Sequence, residues 1–520
     1  MSKQTNESKS NFWLDLAADE IIRRYPDGEI IVSSGHSPSG TYHIGTIREL
    51  LTASALTWAI RERGRKAQHV DFVDDFDLLR KIPKGVPTEL AQELGKPLYI
   101  AQSPDGSGTY GEYYHGQLVQ ALKALGCHPD HTYFAHQTYG EEHRYTDLIE
   151  KSLSKLGQVR EIIEEISHRR LPEDWAPVQI LSDNNRLDEW FYVGFDHKAQ
   201  TVQYKTKDGE AGEVSYAEGR VKLDWRLDWP ARWSIWGVNV EPFGRDHATK
   251  GGSYDTGKEL VKTIFDGEAP FPVPYGFINA VGQTKKMSKS AGDVMTPADA
   301  LEVMPAEVIR YFVVRSRPEK ELIFDAGLGL YNLIDEFAAA QDDENHPFRD
   351  AHNFAVAGNT KRVISNVPFK HLVQVYQAAQ GNEEQTLEVL SRTGYQVEVK
   401  NERDIIIAEL TFVKNWLDKY APDEVKFQVQ QSLPQTDLNE AQQKFLDALA
   451  ESIESHAGNI DGQAMHELIY AAKDRAELQP KEAFQALYQV ILGKLYGPKA
   501  GWFLASLDQD WLIKRLKRQS

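Results

Sequence analysis

Apolar and polar positions fall into blocks along the first third of the chain. An apolar run from Glu29 to Ser34 leads into a Gly/Ser/Pro turn, then helical spacing from about Ile44 to Arg63, then a second apolar run from Gln68 to Val73. A strand feeding a tight turn and a helix, followed by another strand, predicts an α/β fold that opens a doubly wound parallel sheet. Ligand groups in such a sheet gather at the carboxyl ends of the strands. Residues 172–226 differ. The stretches Trp190–Phe195 and Thr201–Thr206 are β-rich and are broken by the turn residues Asp183–Asn185 and Lys207–Glu213, which predicts a small β insertion, with the sheet pattern resuming near Trp225. The polar stretch Gln341–Asp350 follows, and strand signals fade beyond it. Phe445, Leu446, Leu449 and Ile453 then recur at helical spacing, the mark of a bundle. The expected layout is a tail at 1–11, an α/β domain at 12–337 with its insertion at about 172–226, a linker at 338–347 and an all-α region at 348–520.

Length and composition narrow the class. At 520 residues the chain exceeds one ordinary core, and 41% hydrophobic with 26% charged residues is globular composition. No segment approaches the roughly 18 apolar residues of a membrane span, and the polar start MSKQTNESKSN lacks a secretory signal, so a cytoplasmic location without membrane contact is expected. The single cysteine, Cys127, allows neither a disulfide framework nor a Cys-rich zinc site. A net charge of −18 means that any nucleic-acid partner must be held by local basic patches. The tail residues Lys514, Arg515, Lys517 and Arg518 form one candidate patch.

Two segments carry chemistry. The turn Ser37-Pro-Ser-Gly-Thr-Tyr-His-Ile-Gly-Thr46 sits between the first strand and the first helix. Its small residues let backbone approach a phosphate, the helix N-terminus supplies N–H donors, and His43 adds a side-chain donor. Much later comes Lys285-Lys-Met-Ser-Lys-Ser290, a basic segment able to bring charge to a triphosphate.

Together these segments resemble the HIGH and KMSKS motifs of class I aminoacyl-tRNA synthetases, here His43-Ile-Gly-Thr46 and Lys286-Met-Ser-Lys-Ser290. Thr46 replaces the last histidine and keeps a hydroxyl donor. Further stretches resemble the class I lysyl-tRNA synthetases in particular: Ser34–Gly40, Asp74–Pro87, Trp225–Trp233, Glu241–Tyr254, Pro274-Tyr275, Val367–Leu372 and Leu492–Gly501.

That resemblance implies a Rossmann-like catalytic domain of the HUP type followed by a helical anticodon-binding region. It implies a ligase that joins lysine to tRNA(Lys) with ATP and Mg²⁺. ATP is expected along Pro38, Gly40, His43, Gly45, Thr46, Gly244, Asp246, Lys286, Ser288 and Lys289, with His43, Lys286 and Lys289 as catalytic residues. Lysine is expected at Gly35, Ser37, Trp225, His247 and Tyr275, where aromatic walls suit four methylenes and an ammonium. The insertion resembles a region that holds a cysteine zinc ribbon in some relatives. PVQILSDNNR and YKTKDGEAG stand where paired cysteines would be, so no structural zinc is expected. The oligomeric state is open, with a monomer favoured.

A glutamyl or glutaminyl enzyme of the same class is one alternative, yet Ile30-Ile-Val-Ser-Ser34 lacks the arginine that precedes the turn in the glutamyl branch. A catalytically inactive tRNA-binding paralogue is another, but both motif lysines are present. Lys289→Ala is expected to slow adenylate formation by about 10²–10³-fold, the scale for one lost preorganised charge, and to leave amino-acid affinity unchanged. Single-turnover kinetics checks this, and an unchanged rate removes the segment from the mechanism.

Overall fold

The computed structural model describes residues 11–83, 85–281, 295–357, 359, 361–458 and 460–519. The expected tail falls almost wholly outside this range. The chain divides into two compact units, one of Met1–Leu301 with Ile309–Phe324, the other of Glu302–Val308 with Asp325–Ser520.

The first unit is built on a parallel sheet. Strands β1 (Ile30–His36), β2 (Ala67–Val73) and β3 (His131–Phe134) come first in the chain. An insertion then supplies β4 (Val178–Ile180), β5 (Trp190–Asp196), β6 (Thr201–Thr206), β7 (Ala211–Ser215) and β8 (Val221–Leu223). Strands β9 (Val240–Gly244) and β10 (Phe271–Tyr275) complete the main sheet, whose order is β10-β9-β1-β2-β3 with every pairing parallel. Strand β1 is Ile/Val-rich at its start and small at its end, as suits a strand covered on both faces.

Register explains where this sheet opens. Strands β1 and β2 pair over seven residues, from Ile30↔Ala67 to His36↔Val73. Strands β1 and β9 meet in register only at Val32↔Val240, so their carboxyl ends part. The helix Ile47–Glu62 follows β1 toward β2, and the helix Ser253–Thr263 follows β9 toward β10. The chain therefore turns opposite ways at β1 and β9, the switch point at which open sheets bind ligands.

The insertion is antiparallel throughout, with β4 paired to β8 and β5-β6-β7 forming a meander. Its end differs from expectation, because Trp225–Trp236 is a helix and not a strand. Asp224 caps it by accepting from Arg226 N, and the tryptophans at 225, 229 and 233 lie four apart along one helical face. Strand pairing resumes only at Val240.

Among the described residues of the second unit no strand occurs. Its helix Glu440–Ser455 starts with a capping box at Asn439 and Gln442, and Phe445, Leu446, Leu449 and Ile453 are buried, in keeping with their spacing. Part of the expected linker at 338–347 is helical, since Gly329–Asp342 is continuous and buries Phe337 and Ala340. No helix among the described residues is long and apolar enough to cross a membrane.

The closing helix Gln509–Leu516 is locked by Arg515, which is 4% exposed. Its guanidinium donates to the carbonyls of Ser432 (2.8 Å) and Val490 (3.2 Å) through one nitrogen, and to those of Gln430 (2.9 Å) and Gln431 (2.8 Å) through the other. Arg515→Ala would strand these acceptors and is expected to lower stability by about 2–4 kcal/mol. Urea unfolding followed by circular dichroism measures this, and a loss below about 0.5 kcal/mol, the usual bound for a surface change, would show the clamp to be incidental.

Candidate active site

A pocket of about 240 Å³ opens at the β1/β9 switch point. Gly35, His36 and Ser37 line it from the end of β1, Glu49 from the first turn of the helix that follows, and Asp74 and Asp77 from the loop after β2. Trp225, Trp229 and Arg232 line it from one helix, with Glu241, Phe243 and His247 from β9 and its exit. Four of the five expected amino-acid contacts, Gly35, Ser37, Trp225 and His247, thus share one cavity.

Aromatic rings make one wall. Trp225 and Trp229 stack with centroids 5.6 Å apart and planes 10° from parallel, and the His247 ring lies 5.4 Å from Trp229. The Arg232 guanidinium sits over the Trp225 ring at 5.7 Å and is itself held by Asp228. The indole wall is therefore oriented by stacking and by a cation–π contact.

Carboxyl groups make the rest, and they differ in state. Glu49 accepts from Gly35 N at 2.8 Å and from the Tyr275 hydroxyl, both neutral donors. Burial raises its pKa to about 8 against those two bonds. Burial also raises Glu241, which accepts from the Trp233 indole. Asp74 goes the other way, because Lys222 from β8 (2.6 Å) and then Arg232 outweigh the cost of burial and hold it ionised. Tyr275, the fifth expected contact, is buried behind Glu49, and its hydroxyl is pushed well up by burial and by that carboxyl. It reaches the pocket through Glu49.

The turn after β1 has its own constraint. A Cβ at Gly45 would meet the His43 ring at 2.8 Å, so glycine there is what lets the buried ring lie back over the turn. Ile44 N donates to Met295 O at 3.0 Å, and the Ile278 carbonyl lies 3.8 Å from the same Cβ position. Lys286, Ser288 and Lys289 lie outside the described residues, but both flanks of their segment sit against this turn. Pro38 and Gly40 are buried within it, and Thr46 precedes the first helical residue, Ile47. Across the switch point, a Cβ at Gly244 would meet Asp246 Oδ1 at 2.5 Å, which places that carboxylate over bare backbone.

A family model described as tRNA synthetases class I (K) matches residues 11–363. The chain belongs to this family. It is 38% identical to lysine–tRNA ligase 1 of Methanosarcina acetivorans over 98% of each chain. It is 36% identical to the lysine–tRNA ligase of Archaeoglobus fulgidus, over 97% of this chain and 99% of that one. Among solved structures, a glutamate tRNA ligase from Elizabethkingia meningosepticum aligns with a TM-score of 0.46 at 13% identity, over 94% of this chain and 99% of that one, a likeness too loose to argue from.

Three of the four tail cations expected at tRNA have partners within the helical unit. Arg515 is consumed by four carbonyls, Arg518 forms a bidentate pair with Asp447, and Lys517 pairs with Glu454 at 2.8 Å. Lys514 is exposed. Asp74, Asp77, Trp229, Arg232 and Glu241 lie in stretches that carry the family resemblance but were given no site role, and Glu49 was not singled out at all. Trp229 was signalled by its four-residue spacing from Trp225, and Glu49 by an acid in the first turn after the His43 motif. Gly45→Ala is expected to cut adenylate formation by about 10²-fold, the scale on which a misplaced catalytic group tells. Thermal unfolding should hardly change, and a full rate in this variant would remove the His43 ring from the chemistry.

Proposed function

We propose that this chain is a lysine–tRNA ligase that reads its amino acid by charge in the β1/β9 pocket. The observation that carries the reading is the buried Glu49 carboxyl, bonded only to neutral donors in an aromatic-walled cavity. A lysine side chain supplies what that group lacks, with an ε-ammonium for Glu49 and four methylenes for Trp225 and Trp229. Glutamate fits badly, since Arg232, the cation of the lining, is already engaged by Asp228 and Asp74, and the ionised Asp74 faces the same cavity. The names of the archaeal relatives agree with lysine.

The first step needs no protein nucleophile. Lysine's carboxylate oxygen forms a bond to the α-phosphorus of ATP, pyrophosphate leaves with the electron pair of the broken P–O bond, and lysyl-adenylate remains. His43, Lys286 and Lys289 would stabilise the developing charge, with Mg²⁺ entering on the ATP phosphates. Gly45 and Thr46 would face adenosine, and Gly244 with Asp246 the ribose. In the second step a hydroxyl of the terminal tRNA ribose attacks the carbonyl carbon, and AMP leaves. Unit one would carry this chemistry and the helical unit would bind tRNA.

An aminoacylation assay with every standard amino acid and total tRNA tests the proposal, and attachment of glutamate or arginine alone would defeat it. Below pH 8 the empty pocket holds Glu49 protonated, and the ammonium binds its ionised form. KM for lysine is therefore expected to fall about tenfold per pH unit up to about 8 and then level off. Glu49→Gln should raise KM for lysine by about 10²-fold or more and abolish that slope, while KM for ATP stays put.

A further inference from the structure

A linked set of polar side chains lies beside the pocket and takes no part in the chemistry above. At its centre is Asp71 on β2, which is 1% exposed. Its Oδ1 accepts from the Ser34 hydroxyl at 2.8 Å, and its Oδ2 lies 3.1 Å from His36 Nε2. The other ring nitrogen of His36, Nδ1, lies 2.6 Å from the Tyr42 hydroxyl, and the two rings meet edge-on with centres 5.2 Å apart. Ser34 Oγ lies 2.9 Å from His69 Nε2. From the helix Tyr110–Ala124, His115 stacks on His36, with ring centres 5.6 Å apart and planes 14° from parallel.

The protons in this set can be placed. Burial works to raise Asp71, but the attraction of His36 and its hydrogen bond, with the help of His69 and Ser34, outweigh it and hold the carboxyl below its ordinary range. A carboxylate only accepts, so both Ser34 Oγ and His36 Nε2 donate to it. Ser34 then has only its oxygen to offer His69, whose Nε2 donates; burial lowers the His69 pKa to about 4, so that ring is neutral. Burial, and then Asp71, push the Tyr42 hydroxyl well up, so it keeps its proton. With the His36 imidazole neutral, the bonds run one way, from the Tyr42 hydroxyl to His36 Nδ1 and from His36 Nε2 to Asp71.

Its place in the chain gives this line of bonds a use. His36 ends β1 and lines the pocket, while Tyr42 directly precedes His43. Between them runs the small-residue turn, with Gly40 at φ +153°, a backbone state that glycine adopts and other residues rarely do. Such a stretch does not hold its own shape. We propose that Asp71, His36 and Tyr42 form a strut that braces the turn against β2 and so sets the position of His43 for attack on the α-phosphorus. The three are positioning residues, and the proposal rests on the lysine–tRNA ligase reading. Side chains already fixed by packing and by further hydrogen bonds are what keeps a reacting group within the small tolerance that catalysis allows.

The test follows lysine-dependent ATP–pyrophosphate exchange by the full chain, with total tRNA present. Tyr42→Phe keeps the ring and deletes only the hydroxyl. Its kcat is expected to fall by about 10- to 100-fold, the scale on which a misplaced catalytic group tells, while KM for lysine and for ATP stays within about twofold. His36→Leu should lose a similar factor in kcat. His36→Gln, whose amide offers one donor and one acceptor as the neutral imidazole does, should recover most of that loss. Leucine packs at least as well as glutamine, so a side chain that only filled space would give the reverse order. In the His36→Leu background, Tyr42→Phe should cost less than about twofold more, because both act on one line of bonds. Full multiplication of the two losses, or an unchanged kcat in Tyr42→Phe, would overturn the strut. So would a raised KM for lysine with kcat intact, which would make these groups contacts of the amino acid. Tyr42→Phe decides by itself if His36→Leu does not fold. Absence of exchange by the wild type with lysine would instead overturn the ligase reading.

Discussion

The site depends on how two parallel strands part. Strands β1 and β9 share a single register pair, Val32↔Val240, whereas β1 and β2 share seven. The connections that follow β1 and β9 run to opposite sides of the sheet, and right-handed crossovers leave no chain to fill the gap above them. The lining of the pocket, from Gly35 and Ser37 to Glu241 and His247, reaches into that gap from its two walls or from the elements beside it.

Two neighbours on one helical turn divide the work of closing it. Arg48 is 1% exposed and donates to the carbonyls of Pro318 and Lys320 at 2.8 Å and to that of Gly276, which pins the chain after β10. Burial lowers its pKa to about 10, still far above neutrality, so the clamp stays charged. Glu49, the next residue, turns to the pocket and is held by two neutral donors, Gly35 N and the Tyr275 hydroxyl. The adjacent pair thus shows one cation turned inward to hold architecture and one acid turned to the cavity, a contrast invisible in the dipeptide itself.

Much of this was legible beforehand. The apolar runs of β1 and β2, the turn between them and the helical spacing of Phe445–Ile453 follow from periodicity, because burial on a face imposes a period. The sheet pattern was expected to resume near Trp225, whereas the Asp224 cap starts a helix there and strand pairing waits until Val240. The tail cations were read as a surface patch because sequence shows charge but not burial, and the carbonyls that consume Arg515 lie 25 to 85 residues away. Glu49 escaped for the same reason: its meaning comes from Tyr275, 226 residues on.

Lys222 gives the β insertion a different standing from that of a removable ornament. It sits on β8, inside the insertion, yet its ammonium is buried against Asp74 in the wall of the pocket. Excision of residues 178–223 in search of a smaller enzyme would leave that carboxylate with Arg232 alone, already shared with Asp228. A minimal version of this enzyme therefore has to carry the insertion, or provide a new cation at the same point. Modularity in the diagram is not modularity in the charge balance.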